Sequence, residues 1–213
     1  MKTKSLTFIE ILITLTILTI ISILTVGLLK PAELFQQTRD AKRIAELKNL
    51  EKAISLYLTE NPNINLGSSS IIYISLPDNS PTCSNWINQL PSGYQYRCSS
   101  NPQNIDGTGW LPINFASSSI VNIQKLPIDP INSPPYYYSY TADNNKKDYE
   151  LTAYLENNKN KGEDSISAKD EGTNIYIYET GSDKKLTPDN FEISRSGPRL
   201  EPGSLIWAAT SNP

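Results

Sequence analysis

Three sets of side chains in this chain could carry chemistry. The first is Glu10, the lone charge in an apolar run from Leu6 to Leu29. A carboxylate near the end of such a run costs less than the ~2.5 kcal/mol or more it costs at the centre of a membrane span. It must either reach the edge of the run or meet a cation. The second set is the pair Cys83 and Cys98. A disulfide between them would close a loop of about 15 residues and contribute ~3 kcal/mol by restricting the unfolded chain. Two free thiols are the alternative. The third set is Asp143, Asp148, Asp164 and Asp170, hard oxygen donors of the kind calcium accepts. They lack the Asp-x-Asp-x-Asp-Gly spacing of a calcium loop, so solvated loop acids are the simpler reading.

What is missing narrows the field further. The chain contains no histidine, which removes the commonest general base and metal ligand and every Ser-His or Cys-His arrangement. The phosphate-binding glycine loop, metal-binding cysteine pairs and the nucleophile elbow are also absent. No acidic pair sits in a recognisable catalytic setting. The formal net charge of -3 argues against a general nucleic-acid binder. The expectation is therefore a protein that is not an enzyme and needs no cofactor.

The elements that must position these residues follow from hydropathy and spacing. At 1.5 Å per residue, Leu6 to Leu29 would span roughly 36 Å as a helix, enough to cross a ~30 Å hydrocarbon core. The run is too long for a cleaved secretory signal and lacks a small-x-small site, while a plain single-span anchor leaves Glu10 unexplained. Residues 6–29 then form a transmembrane half-helix. Residues 30–60 read as an amphipathic second half: Ala32 to Thr59 has no Pro or Gly, and Ile44, Leu47, Ile54 and Leu58 recur at helical spacing. Leu50 and Tyr57 sit alongside. Asp40, Lys42, Arg43, Glu46, Lys48, Glu51 and Lys52 are assigned to the other faces. Gly27 and Pro31 flank the junction, where Pro31 either ends the span or acts as a hinge.

Residues 61–135 are rich in proline and serine and read as loops, with Ile71 to Leu76 a candidate strand. Residues 136–213 carry the clearest strand text. Tyr136 to Thr141 and Tyr149 to Leu155 flank a polar turn and predict an antiparallel hairpin. Strict alternation places Tyr149, Leu151, Ala153 and Leu155 on one face. Asn174 to Glu179 predicts another strand and Leu205 to Ala208 a last one. The fold class expected is α+β, a long N-terminal helix packed on a small antiparallel sheet.

Lys4-Ser5-Leu6-Thr7-Phe8-Ile9-Glu10 with its following apolar run resembles the class III signal of type IV pilins and type II secretion pseudopilins. The resemblance implies that residues 1–5 are a short basic leader carrying Lys2 and Lys4, with cleavage by prepilin peptidase between Ser5 and Leu6, N-methylation of Leu6, and Glu10 as the fifth mature residue. Ser5 stands where the family usually has Gly, and Leu6 where it usually has Phe. Asp40 to Leu50 is similar to the amphipathic half of pilin first helices. Leu126-Pro127-Ile128-Asp129-Pro130 and the two strands after it resemble the sheet region of the major pseudopilin, a family that often holds calcium near its last strands.

By this resemblance the chain is a subunit of a pilus-like or pseudopilus filament. Its partners would be copies of itself, the peptidase, an inner-membrane assembly platform and the lipid bilayer. It would be a single-pass membrane protein with an extracytoplasmic C-terminal domain. Lys30, Arg39, Lys42 and Arg43 beyond the span do not favour that orientation by the positive-inside rule; the cysteines favour it. Once Leu6 is exposed, its α-amine could neutralise Glu10 of a neighbouring subunit. The alternative is a membrane-tethered extracytoplasmic binding protein that does not polymerise.

Overall fold

The computed structural model describes residues 7–80, 83 and 93–188, with backbone alone over 24–29. Two helices, α1 (Phe8–Leu29) and α2 (Pro31–Glu60), precede five strands. These are β1 (Ile71–Pro77), β2 (Gln95–Ser99), β3 (Tyr138–Asp143), β4 (Asp148–Tyr154) and β5 (Ile177–Gly181). The class is α+β, as the hydrophobic periodicities imply.

The expected long helix is two helices. α1 remains helical through Gly27, and the break falls at Lys30, whose φ of 41° is left-handed. That conformation costs an L-residue about 1 kcal/mol or more. Pro31 then occupies the first position of α2, where its missing N–H interrupts no helical bond and its fixed φ suits the helix. Among the described residues, no helix is long and apolar enough to cross a membrane. This overturns the single-pass membrane placement expected for 6–29.

α2 buries Leu47, Leu50, Ala53, Ile54 and Tyr57; of the residues its spacing predicts, only Ile44 and Leu58 are half-buried, and Ala53 is an addition. Asp40 and Arg43, assigned from the sequence to the outer faces, are instead wholly buried. The stripe packs on Tyr138 and Tyr140 of β3 and on Tyr149, Leu151 and Ala153 of β4. Leu155 joins the same core, so the alternation in 149–155 marks the helix-facing side as expected. Trp110, Leu111, Ile113 and Phe115 close this core from the long loop before β3. The loop can fold tightly there because residue 109 is glycine: a Cβ would lie 2.1 Å from the Asn104 carbonyl oxygen.

The sheet is mixed, in the order β2-β1-β3-β4-β5. β1 and β2 pair in parallel, and the other neighbours are antiparallel. This corrects the expected antiparallel sheet: the segment read as loop-rich supplies two strands joined by a crossover rather than a hairpin. Ile72, Ile74 and Leu76 of β1 face away from α2, into a second core with Tyr96, Tyr137 and the two cysteines. The β5 strand begins three residues later than Asn174, because the Asn174 side chain accepts from the Tyr176 N–H at 2.8 Å and turns the chain. The strand expected over Leu205 to Ala208 lies outside the described residues.

Cys83 and Cys98 form the disulfide, with Cα atoms 5.2 Å apart and a sequence separation of 15. It ties the crossover to β2. Replacing Cys98 by Ser should lower the free energy of unfolding by about 3 kcal/mol in urea titration. A loss near zero would mean that packing alone holds the crossover.

Candidate functional site

The described residues offer two places where function could reside: the exposed helix α1 and a buried charge cluster under the start of α2. Along α1 the apolar side chains project outward. Phe8 is 83% exposed, and Leu12, Ile13, Ile17, Leu18 and Ile21 are each more than half exposed. None of residues 8–23 of α1, those described with their side chains, belongs to either hydrophobic core. Thr7 caps the helix with a reciprocal capping box. Its backbone N–H and its hydroxyl both donate to Glu10 Oε2, at 2.8 and 2.9 Å, and the Glu10 N–H donates back to the Thr7 hydroxyl. Glu10 thus has a local task the sequence reading did not assign, satisfying orphan donors at the start of the helix. Ser5 and Leu6, the expected cleavage site, lie outside the described residues. At the junction, Lys30 Nζ donates to Glu33 Oε1 at 2.9 Å, which stabilises the first turn of α2 after the break.

The charge cluster is built from three distant segments. Arg43 sits on the buried face of α2. Its Nε and Nη2 donate to the two oxygens of Asp129 at 2.6 and 2.9 Å, a bidentate fork. Its Nη1 donates to Asp40 Oδ1 at 2.9 Å and to Glu156 Oε1 at 2.6 Å. Arg39 covers Glu156 from the solvent side, with Nε donating at 2.7 Å. Asp40 in turn accepts from the backbone N–H groups of Glu156 and Asn157 and from the Asn160 amide, each at 2.8 Å. The Tyr136 ring lies 5.1 Å from the Arg43 guanidinium carbon, a favourable cation–π distance.

Burial pushes the Glu156 carboxyl upward, but hydrogen bonds and charge from Arg39 and Arg43 outweigh it and hold its pKa below the usual carboxylate range. The cluster is saturated with partners. Its geometry fastens α2 to the loop before β3 and to the end of β4.

Sequence spacing did hint at part of this. Asp129 lies between two prolines, and Asp40 and Arg43 are one helical turn apart; nothing local marks Glu156. The four candidate calcium acids do not converge. Asp143 accepts from the Asn145 and Lys146 N–H groups of the β3–β4 turn, and Asp170 accepts from those of Gly172 and Glu179. Among the described residues no three metal-binding side chains gather around one point. Burial, opposed by those two N–H bonds and reinforced by the Glu179 charge, raises the Asp170 pKa to about 6.

The fold defines an α+β protein with an apolar helix standing off its body. No family model, curated protein or solved structure matches the chain.

Arg43→Ala should cost about 3–5 kcal/mol of stability, because it strands three carboxylates in the interior. Chemical denaturation at neutral pH measures it, and a loss below about 1 kcal/mol would contradict the cluster's structural role. The pH dependence separates two acids. Glu156, with its folded pKa depressed, stabilises fully above its unfolded value, near ~4.3, and that contribution fades as pH falls through the folded value. Asp170, raised in the fold, acts oppositely: stability falls as pH climbs from about 4, its unfolded value, to about 6. Urea midpoints of Asp170→Asn should therefore lack the decline between those two pH values that the native chain shows.

Proposed function

We propose that this chain is a structural subunit that polymerises with copies of itself through its N-terminal helix, in the manner of the pilin-like and pseudopilin filaments it resembles. The observation that carries the reading is the state of α1 in the single chain. A helix with isoleucine and leucine on every side, packed against neither core, leaves a large apolar surface in water. Such a surface marks an interaction site, and a helix apolar all round is stable only when covered. Helices of neighbouring copies offer the same chemistry and the same length.

The resemblance of residues 4–10 to the class III signal points the same way. It adds prepilin peptidase, cutting between Ser5 and Leu6 and exposing Leu6 for N-methylation, and an assembly platform as partners. The role is structural rather than enzymatic. The saturated Arg43 cluster supports this, because it anchors the projecting helix to a rigid body and leaves its charges committed to one another.

Burying one isoleucine side chain is worth about 1.5–3 kcal/mol, so each lost contact weakens association by roughly tenfold or more. The full chain should sediment as large particles and appear as filaments by negative-stain microscopy. Ile13→Asn combined with Ile17→Asn should leave monomers with an unchanged melting temperature, since neither residue enters a core. A native chain that stays monomeric at high concentration would end this reading.

A further inference from the structure

The aromatic neighbours of the Arg43 cluster lead outward to an amine that meets no oxygen. The Arg43 guanidinium carbon lies 5.1 Å from the centre of the Tyr136 ring. That ring is 5.6 Å from the ring of Tyr154, and Lys161 Nζ lies 4.9 Å from the centre of the Tyr154 ring. The stack thus runs cation, ring, ring, cation, from the buried cluster to the loop after β4. Lys161 is half-buried. Two other half-buried lysines have oxygens for their ammonium groups. Lys147 donates to the Ile64 carbonyl and to Asn144; Lys184 donates to the Asp170 carbonyl, with Glu171 3.6 Å away. Lys161 joins no ion pair among the described residues, and its Nζ has the face of a ring instead.

A ring face attracts an ammonium group but does not replace the oxygen acceptors that its N–H bonds have in water. Burial therefore holds the Lys161 pKa below the ordinary lysine value, although the Asp40 and Glu156 charges oppose the shift. A larger share of this amine is then neutral and nucleophilic in mildly basic solution. We propose that Lys161 is a site of N-acylation by small acyl phosphates. Nζ attacks the carbonyl carbon and forms a C–N bond. The bond from that carbon to the phosphate oxygen breaks, and its electron pair leaves with the phosphate. The displaced Nζ proton passes to water, and the product is a neutral amide. The fold tolerates that product for two reasons. None of the bonds that close the Arg43 cluster involves Lys161, so none is lost. The amide also removes a charge that burial disfavours, and an acetyl methyl group suits the ring face that the ammonium occupied. This chemistry does not depend on self-assembly through α1.

Acetyl phosphate tests this on the full-length chain at about pH 8, with the acetylation rate of each lysine read by peptide mass spectrometry. Lys161 should react severalfold faster than Lys52 and Lys169, which are exposed and also outside the ion pairs of the described residues. In concentrated urea the difference should vanish. A Tyr154→Ser chain that still melts cooperatively admits water to the amine, and its Lys161 should react no faster than Lys52. Lys161→Gln, a permanent neutral amide, should melt no lower than the native chain. Lys161 reacting no faster than Lys52 in the folded chain would overturn the site. A clear fall in melting temperature on Lys161→Gln would overturn the tolerance of the product. An unchanged rate in folded Tyr154→Ser would remove the ring as the cause of the reactivity.

Discussion

One guanidinium determines how this molecule is put together. Arg43 arrives on α2, and its acids arrive from three places: one turn earlier on the same helix, the loop before β3, and the exit from β4. Taking these charges out of water costs several kcal/mol per ion, and the cost is met only if every donor and acceptor is matched. The matching here is close to complete, with backbone N–H groups taking the carboxylate positions that Arg43 and Arg39 leave. A hydrophobic stripe alone would let α2 slide or rotate on the sheet. The fork onto Asp129 and the bond to Glu156 fix its position along both directions. Arg39 and Asp40 share this anchorage, and α1 projects beyond it.

The part of this architecture set by local pattern was legible in the sequence. Of the apolar face read as Ile44, Leu47, Ile54 and Leu58 with Leu50 and Tyr57 alongside, Leu47, Leu50, Ile54 and Tyr57 are buried and Ile44 and Leu58 are half-buried against them. Tyr149, Leu151, Ala153 and Leu155 alternate and face it. The cysteine pair was legible because 15 residues make a sensible loop. Features that depend on distant partners were not. Asp40 and Arg43 read as solvent-facing charges because their burial rests on residues 86 and 113 positions away from Arg43. The parallel pairing of β1 and β2 was hidden in a proline- and serine-rich segment, where composition says loop and a crossover leaves no periodic mark. Glu10 was read as an acid awaiting a partner, and its hydrogen bonds to Thr7 show that it first serves its own helix.

The sheet presents contrasting chemistry on its two sides. Toward α2 the tyrosines of β3 and β4 fill the core with rings while their hydroxyls find partners: Tyr138 donates to Glu46, Tyr140 to the Leu66 carbonyl and Tyr149 to the Glu51 carbonyl. This explains why an aromatic-rich hairpin is buried yet polar at its edges. On the far side Ser139 and Thr152 hydrogen-bond across the strands, and the disulfide braces the β1–β2 end. The body is thus stiffened on both faces, whereas residues 8–23 of α1 have neither hydrophobic core behind them.

The single left-handed residue between the helices has a mechanical consequence. At Lys30 the ladder of helical hydrogen bonds is interrupted, so α1 and α2 are two rods joined through a single residue. A pull on α1 is delivered to the first turns of α2 and reaches Arg39, Asp40 and Arg43 within about 20 Å. Those side chains grip the body through many short bonds stretched side by side, a shear geometry that must yield all at once.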